Sequence, residues 1–201
     1  MKINTATSMI AESLFPQHSF VGKIELSDRQ NNDLVKEVTH QTLYKYNWGM
    51  SGWSEDPEEV WHLTPKIQSL SPLILRQCFD AVTNQYNYPS IGNIMHIGQT
   101  QYHLEIRRCF PVILYPGHDY PYFGHPGTFN GITILKCTEN GHKVYTRNLN
   151  HNVIEDNLKF WHPEVNQQIF LPRKVSWGIS AGTDNSQTIA LISHILLKRS
   201  N

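Results

Sequence analysis

The pattern of apolar and polar positions changes character near Pro89. Before it, apolar residues recur at helical spacing. After it, they alternate or gather in short runs. Residues 18–26, "HSFVGKIEL", alternate toward their end and predict a strand. Ser27 with Gln30 three residues on is a capping-box pattern, and Leu34, Val35 and Val38 behind it supply one apolar helix face. Residues 47–59, "NWGMSGWSEDPEE", read as a loop, with Trp48, Trp53 and Trp61 in or beside it. Ser71-Pro72 predicts the start of a second helix, with Ser as N-cap and Pro at the first helical position. Leu73, Ile74, Cys78, Ala81 and Val82 give that helix its apolar side.

From Pro89 onward the runs are "IGNIMHIG", "YHLEIRRCFPVILY", "NGITILKC", "HKVYTRN", "NQQIFLP", "KVSWGIS" and "QTIALISHILL". Turn-rich segments such as "PGHDYP", "TENG" and "AGTDNS" separate them, with a polar loop over residues 148–157. Asn140-Gly141 is a turn signal and predicts a hairpin between its flanking strands. The last run is long enough for a helix, but Thr188, Ile189, Ile192 and Ile195 favour a strand. Helices followed by seven or eight strands predict an α+β, mainly β chain: a jelly-roll core with N-terminal helices near residues 28–40 and 72–84 outside it. The chain reads as a single domain over residues 1–201, with the strand and helices in 1–88 and the β core in 89–201. Ile113, Ile132, Ile134, Phe170 and Ile189 are the expected core.

Composition narrows the function more than the fold. Lys plus Arg and Asp plus Glu are 17 each, so the basic excess of a nucleic-acid binder is missing. No twenty-residue apolar run and no signal-peptide core stand out, so neither a membrane nor nucleic acid is an expected partner. Cys78, Cys109 and Cys137 are widely spaced and odd in number, which predicts buried free thiols in a reducing compartment.

Chemistry concentrates in residues 113–137, "ILYPGHDYPYFGHPGTFNGITILKC", a Gly- and Pro-rich loop between strands that carries His118, Asp119 and His125. Asp119 with His125 is one candidate metal pair; its ordinary counterpart is an aspartate capping a turn. His103 and Glu105 form a second, since residues two apart on a strand share a face. His142, His162 and His194 are the possible third ligands, and Arg107 is an alternative partner for Glu105. No G-x-S-x-G elbow, phosphate-binding loop or dinucleotide motif occurs. The aromatic "HDYPYF" and tryptophan-rich loops also suit a carbohydrate-binding face.

Three stretches together resemble the phage-type iron(II)/2-oxoglutarate-dependent oxygenase family: "SLFPQHSFVGKIEL", "SGWSED" and "GHDYPYFGHPGTFNGITIL". The resemblance implies a double-stranded β-helix, two histidines and a carboxylate on iron(II), and a basic residue for the far carboxylate of 2-oxoglutarate. Here Phe123 stands at the first ligand position, His125 two residues on, Trp177 at the distal histidine position and Gln187 at the basic one. Phe and Trp cannot ligate iron, and Gln brings no charge. The expectation from these departures is a non-catalytic protein without cofactor, metal ligands or catalytic residues. It would be a virus or phage particle component (capsid, neck, tail or baseplate), assembled with other protein subunits in the host cytoplasm and placed in the virion. The alternative is an active oxygenase with Fe(II) and 2-oxoglutarate, held by Asp119 and His125 or by His103 and Glu105. A carbohydrate-binding jelly-roll is third.

Overall fold

The computed structural model describes residues 19–41, 65–123, 127–148, 158–173 and 175–200. They form strand β1 (Phe20–Lys23), helix α1 (Asp28–Gln41) and helix α2 (Pro65–Tyr86). Strands β2 (Ser90–Ile91), β3 (Ile94–Ile97), β4 (Thr100–Leu114), β5 (Tyr120–Phe123) and β6 (Phe129–Lys136) follow. The chain continues through β7 (Lys143–Asn148), β8 (Leu158–Trp161), β9 (Gln167–Pro172), β10 (Val175–Ser180) and β11 (Thr188–Arg199). The tryptophan-rich loop and His125 lie outside the described residues.

Two antiparallel sheets face each other, one ordered β1-β9-β6-β11-β4-β3-β2 and the other β5-β10-β7-β8. From β4 to β7 the chain changes sheet at every strand, and β9, β10 and β11 repeat the exchange. This is the jelly-roll expected from the strand runs, in the double-stranded β-helix form that the resemblance implies, with both helices outside it.

The capping box is formed. Ser27 N donates to Gln30 Oε1 at 3.0 Å, and Gln30 N donates to Ser27 Oγ at 3.3 Å. The buried Asn31 then anchors α1 to the sheet by donating from Nδ2 to the Leu135 carbonyl at 2.9 Å. Helix α2 starts earlier than Ser71-Pro72 predicts, at Pro65, and Pro72 sits inside it. An interior proline costs a helix about 3 kcal/mol. Here the buried stripe of Ile67, Leu70, Ile74 and Cys78 runs across Pro72, so packing outweighs the lost hydrogen bond.

Three further differences have local causes. No hairpin joins β6 to β7: β6 pairs with β11 and β9, and β7 with β10 and β8. The Asn140-Gly141 turn carries the chain between sheets instead. A Cβ on Gly182 would strike the Gly141 backbone, so two loops meet there through glycine. Strand β5 falls where the sequence suggests a loop, because Pro121 cannot donate to a ladder. As an edge strand of the smaller sheet it tolerates one. Strand β8, another short edge, had no sequence signal of its own beyond "LKFW".

One apolar cluster lies between the helices and the larger sheet, including Leu34, Ile74, Phe170 and Ile189. A second fills the space between the sheets, including Ile132, Ile134, Ile169 and Trp177. Of the expected core, Ile132, Ile134, Phe170 and Ile189 are buried, while Ile113 is half-buried at the margin of the helix-side cluster. No described helix is long and apolar enough to cross a membrane.

The three cysteines are free. Cys78 and Cys109 are buried and Cys137 is half-buried. Burial pushes the Cys109 thiol up to about 11, partly offset by Ser193, and pushes Cys78 up further. Only the thiolate reacts. Iodoacetamide at pH 8 is therefore expected to modify Cys137 first in the native protein, with Cys78 and Cys109 protected until urea unfolds it. Mass spectrometry of the native reaction checks this; fast labelling of Cys78 or Cys109 contradicts it.

Candidate functional site at one end of the barrel

The two ends of the barrel differ in kind. At one end, the loops after β4, β6 and β10 are tied by polar contacts. The buried His142 places Nε2 3.2 Å from the Tyr115 carbonyl and 3.1 Å from that of His118, and Nδ1 3.0 Å from Thr188 Oγ1. A nitrogen facing two carbonyls must donate, so Nε2 carries a proton; in the neutral ring Nδ1 then accepts from Thr188. Asp119 accepts from the Ala181 backbone N–H. Asp184 accepts from Thr138, from Ser186 Oγ at 2.5 Å and from Ser186 N at 3.1 Å. These bonds, Ser186 first and Thr138 second, lower the Asp184 pKa. Asp119 therefore serves as a loop tie.

His103 and Glu105 share a face, as their spacing predicts, but each has a local partner. Lys198 Nζ is 2.6 Å from Glu105 Oε2, and His103 Nδ1 is 3.0 Å from Ser200 Oγ. A bulge in β4 falls between Ile106 and Arg108 opposite Ile195 and His194, leaving Arg107 as the extra residue. Glu105 accordingly pairs with Lys198 across the strands.

None of the proposed third ligands joins that pair. His103 lies opposite Lys198 and His194 opposite Arg108, four residues apart along β11. At ~3.3 Å per residue that is about 13 Å. His162 is exposed, and His142 is in the loop tie. Among the described residues no three His, Cys, Asp or Glu side chains converge on one point.

The other end is where β5 finishes and β6 and β10 begin. The register sets Trp177 directly across from Phe123, the two positions that the resemblance gives to iron-binding histidines. Trp177 is 0% exposed and stacks on Tyr120 with ring centroids 5.5 Å apart. Beyond it toward Gln187, the described interior is filled by Ile179, Val144, Ile134, Ala190 and their neighbours. An iron(II)/2-oxoglutarate site needs three converging nitrogen or oxygen donors and a cation for the far carboxylate. The described residues do not fit that set in its usual positions.

Polar groups nevertheless gather at this end, on the larger sheet. Asn130 on β6 lies directly across from His194 on β11, and His194 from Arg108 on β4. Directly opposed residues point to the same side of a sheet. Asn130 shares parity with Ile132 and Ile134, and Arg108 with Phe110, Val112 and Leu114, all members or neighbours of the inter-sheet cluster. The row therefore faces inward. Asn130 is 0% and His194 3% exposed, while Arg108 is half-buried. The His194 ring meets Phe110 edge-on at 5.6 Å. Both amide atoms of Asn130 are buried without a hydrogen-bond partner among the described residues. Sequence reading passed over Asn130 and Arg108, although the parity of Asn130 with two core isoleucines was a usable signal.

Two outcomes follow from these two ends. Trp177→Ala should lower stability by about 3–5 kcal/mol in urea unfolding, as expected for a large buried side chain; a loss below 1 kcal/mol contradicts its burial. Asp184 has a depressed folded pKa, so its contribution is complete above the ordinary carboxylate range and fades as pH falls through about 4 toward the depressed value. The Tm gap between wild type and Asp184→Asn should accordingly be present at pH 7 and close on acidification. A gap that widens as pH falls has the wrong sign.

No protein-family model matches the chain, and no curated protein matches it in sequence. Solved structures do share its fold. The non-haem alpha-ketoglutarate-dependent epimerase SnoN from nogalamycin biosynthesis superposes with a TM-score of 0.60 at 6% identity, covering 96% of this chain and 83% of that one. A prolyl hydroxylase from Trichoplax adhaerens, solved with a hypoxia-inducible-factor peptide fragment, gives 0.54 at 10% identity over 94% and 88%. A Pseudomonas putida prolyl-4-hydroxylase gives 0.52 at 11% identity over 96% and 94%. The likeness is one of fold, and it corrects the expectation of a non-catalytic virus-particle component without cofactor. These neighbours are named as enzymes, and they fit the iron(II)/2-oxoglutarate alternative rather than a structural subunit.

Proposed function

We propose that this chain is an oxygenase of the iron(II)/2-oxoglutarate-dependent type with an unusual ligand set, working at the Phe123–Trp177 end of its barrel. The observation that carries the reading is the inward polar row of Asn130 and His194 in an interior built mainly of apolar side chains. A buried amide without partners costs about 1–3 kcal/mol. Such a cost is understandable where a ligand completes the hydrogen bonds. The row sits at the end of the barrel where the resemblance puts the iron, and the epimerase and prolyl hydroxylases with this fold support the same class of chemistry. His194 is the nitrogen donor among the described residues there. His125, which the resemblance puts two residues beyond the first ligand position, is the second candidate. Phe123 and Trp177 make the set a departure from the usual one. Bound iron(II) with 2-oxoglutarate would supply oxygen activation; the chain's own described contribution is a packed apolar interior and a polar row at its edge.

The test is iron content and turnover of protein purified without oxygen. About one iron(II) per chain and succinate release dependent on 2-oxoglutarate are expected, with iron affinity falling at least about tenfold in His194→Ala. Protein that takes up no iron(II) and consumes no 2-oxoglutarate overturns the reading.

A further inference from the structure

We infer that the cleft between α1 and the end of β6 is a binding site for a small zwitterion, an α-amino acid with an aliphatic side chain. The cleft lies on the helix side of the larger sheet, away from the space between the sheets, so the inference stands apart from the oxygenase reading.

The cleft has a volume of about 640 Å³, within the range of small-molecule sites. Two asparagines at this junction are held in one orientation by backbone carbonyls. Asn31 donates from Nδ2 to the Leu135 carbonyl at 2.9 Å. Asn166, which follows Val165 of the cleft wall, donates from Nδ2 to the Leu26 carbonyl at 3.3 Å. An amide atom that faces a carbonyl must be the nitrogen, so the remaining atom of each amide is the acceptor oxygen. Asn31 Oδ1 and Asn166 Oδ1 are both buried without a hydrogen-bond partner among the described residues. Asn31 lines the cleft and is only 8% exposed. The missing partner is therefore a donor, and a ligand in the cleft is placed to supply it.

Charge decides which donor. Asp28 lines the cleft one helical turn before Asn31, and residues at that spacing are neighbours on a helix surface. Lys36 and Lys136 line the cleft as well. Asp28, Lys36 and Lys136 make no ion pair among the described residues. A bare cation would be repelled by two lysines, and a bare anion would meet Asp28 and acceptor oxygens. A zwitterion suits both signs. Its ammonium has three N–H donors, enough for Asn31 Oδ1 and the Asp28 carboxylate, and its own carboxylate is drawn to the lysines. Val35, Leu135 and Val165 give the cleft an apolar wall, with Val165 exposed. An aliphatic side chain on the ligand would cover that wall.

Calorimetry of the full chain with L-leucine, leucinamide and 4-methylpentanoate tests the assignment. Leucinamide keeps the ammonium and lacks the carboxylate; 4-methylpentanoate is leucine without its amine. Leucine should bind saturably at millimolar concentration or below, and each analogue at least about tenfold more weakly, the worth of a charge-assisted hydrogen bond. Asp28→Asn should narrow the gap between leucine and 4-methylpentanoate. Lys36→Gln combined with Lys136→Gln should narrow the gap between leucine and leucinamide. These three side chains belong to exposed residues, so the variants keep the core intact. Asn31→Leu should lose the preference for leucine over 4-methylpentanoate, with a circular-dichroism melt showing that it is folded; the surface variants decide the matter if it is not. His194→Ala, inside the barrel, should bind leucine as wild type does. No saturable leucine binding by wild type, an analogue bound as tightly as leucine, or leucine binding indifferent to both Asp28→Asn and the double lysine variant overturns the inference. Leucine binding that is lost in His194→Ala and kept in the cleft variants puts the amino acid inside the barrel and also overturns it.

Discussion

The described barrel is arranged about β11, a strand that is paired on both edges and covered on both faces. Its residues from Thr188 to Ile195 are all buried. One edge bonds to β4 and the other to β6. Ile189, Leu191 and Ile195 face the helices, and Ala190 and Ile192 face the opposite sheet. A slip of one residue would exchange these faces along the whole ladder. Because both faces are apolar, burial alone would tolerate such a slip. The polar residues at the inner end, and the bulge beside them, make one register distinct from its neighbours.

That bulge has a second effect. Without it, His103, Glu105 and Arg107 would continue the parity of Cys109 and Ile113. The extra residue at Arg107 reverses parity, so Leu104 and Ile106 keep to the helix side while Arg108 turns inward beside His194. Bulges commonly re-aim side chains at the rims of barrels. Here one extra backbone residue separates a salt-bridged outer stretch, Glu105 with Lys198, from a cation that has no acidic neighbour on its own strands.

Polar groups gather at both ends of the barrel, and among the described residues each end keeps buried atoms without a hydrogen-bond partner: His118 Nδ1 at the loop end and the Asn130 amide at the other. At the loop end, His142, Asp119, Asp184 and their hydroxyl partners bond to one another and to backbone, so they hold connections together. At the opposite end, Asn130 finds no partner among the described residues. Between the two lies a packed apolar interior with Trp177 stacked against Tyr120. A satisfied network stiffens, whereas an unsatisfied buried group is retained at a cost. The loop end is the more heavily cross-bonded of the two, and the proposed ligand would account for the buried Asn130 amide at the other.

Sequence alone determined the class of the fold. Runs of alternating or continuous apolar residues from Pro89 onward, with turns between them, demand strands stacked in two sheets, and the Ser27–Gln30 capping box sets where α1 begins. These signals are local, and local chemistry suffices to produce them. Strand β5 was hidden because its pairing comes from β10, distant in sequence, and β8 because it is a four-residue edge paired on one side only, to β7. Helix α2 overran Pro72 because its buried stripe is defined by the sheet beneath it. The site was the least legible part. His103 and Glu105 were recognisable as a same-face pair, yet only the tertiary fold gave Lys198 to Glu105 and Ala181 to Asp119. Arg108, His194 and Asn130 are far apart in the chain, and no spacing rule links them. Three strands and one bulge decide their meeting, because cross-strand neighbours are chosen by ladder register rather than by distance along the sequence.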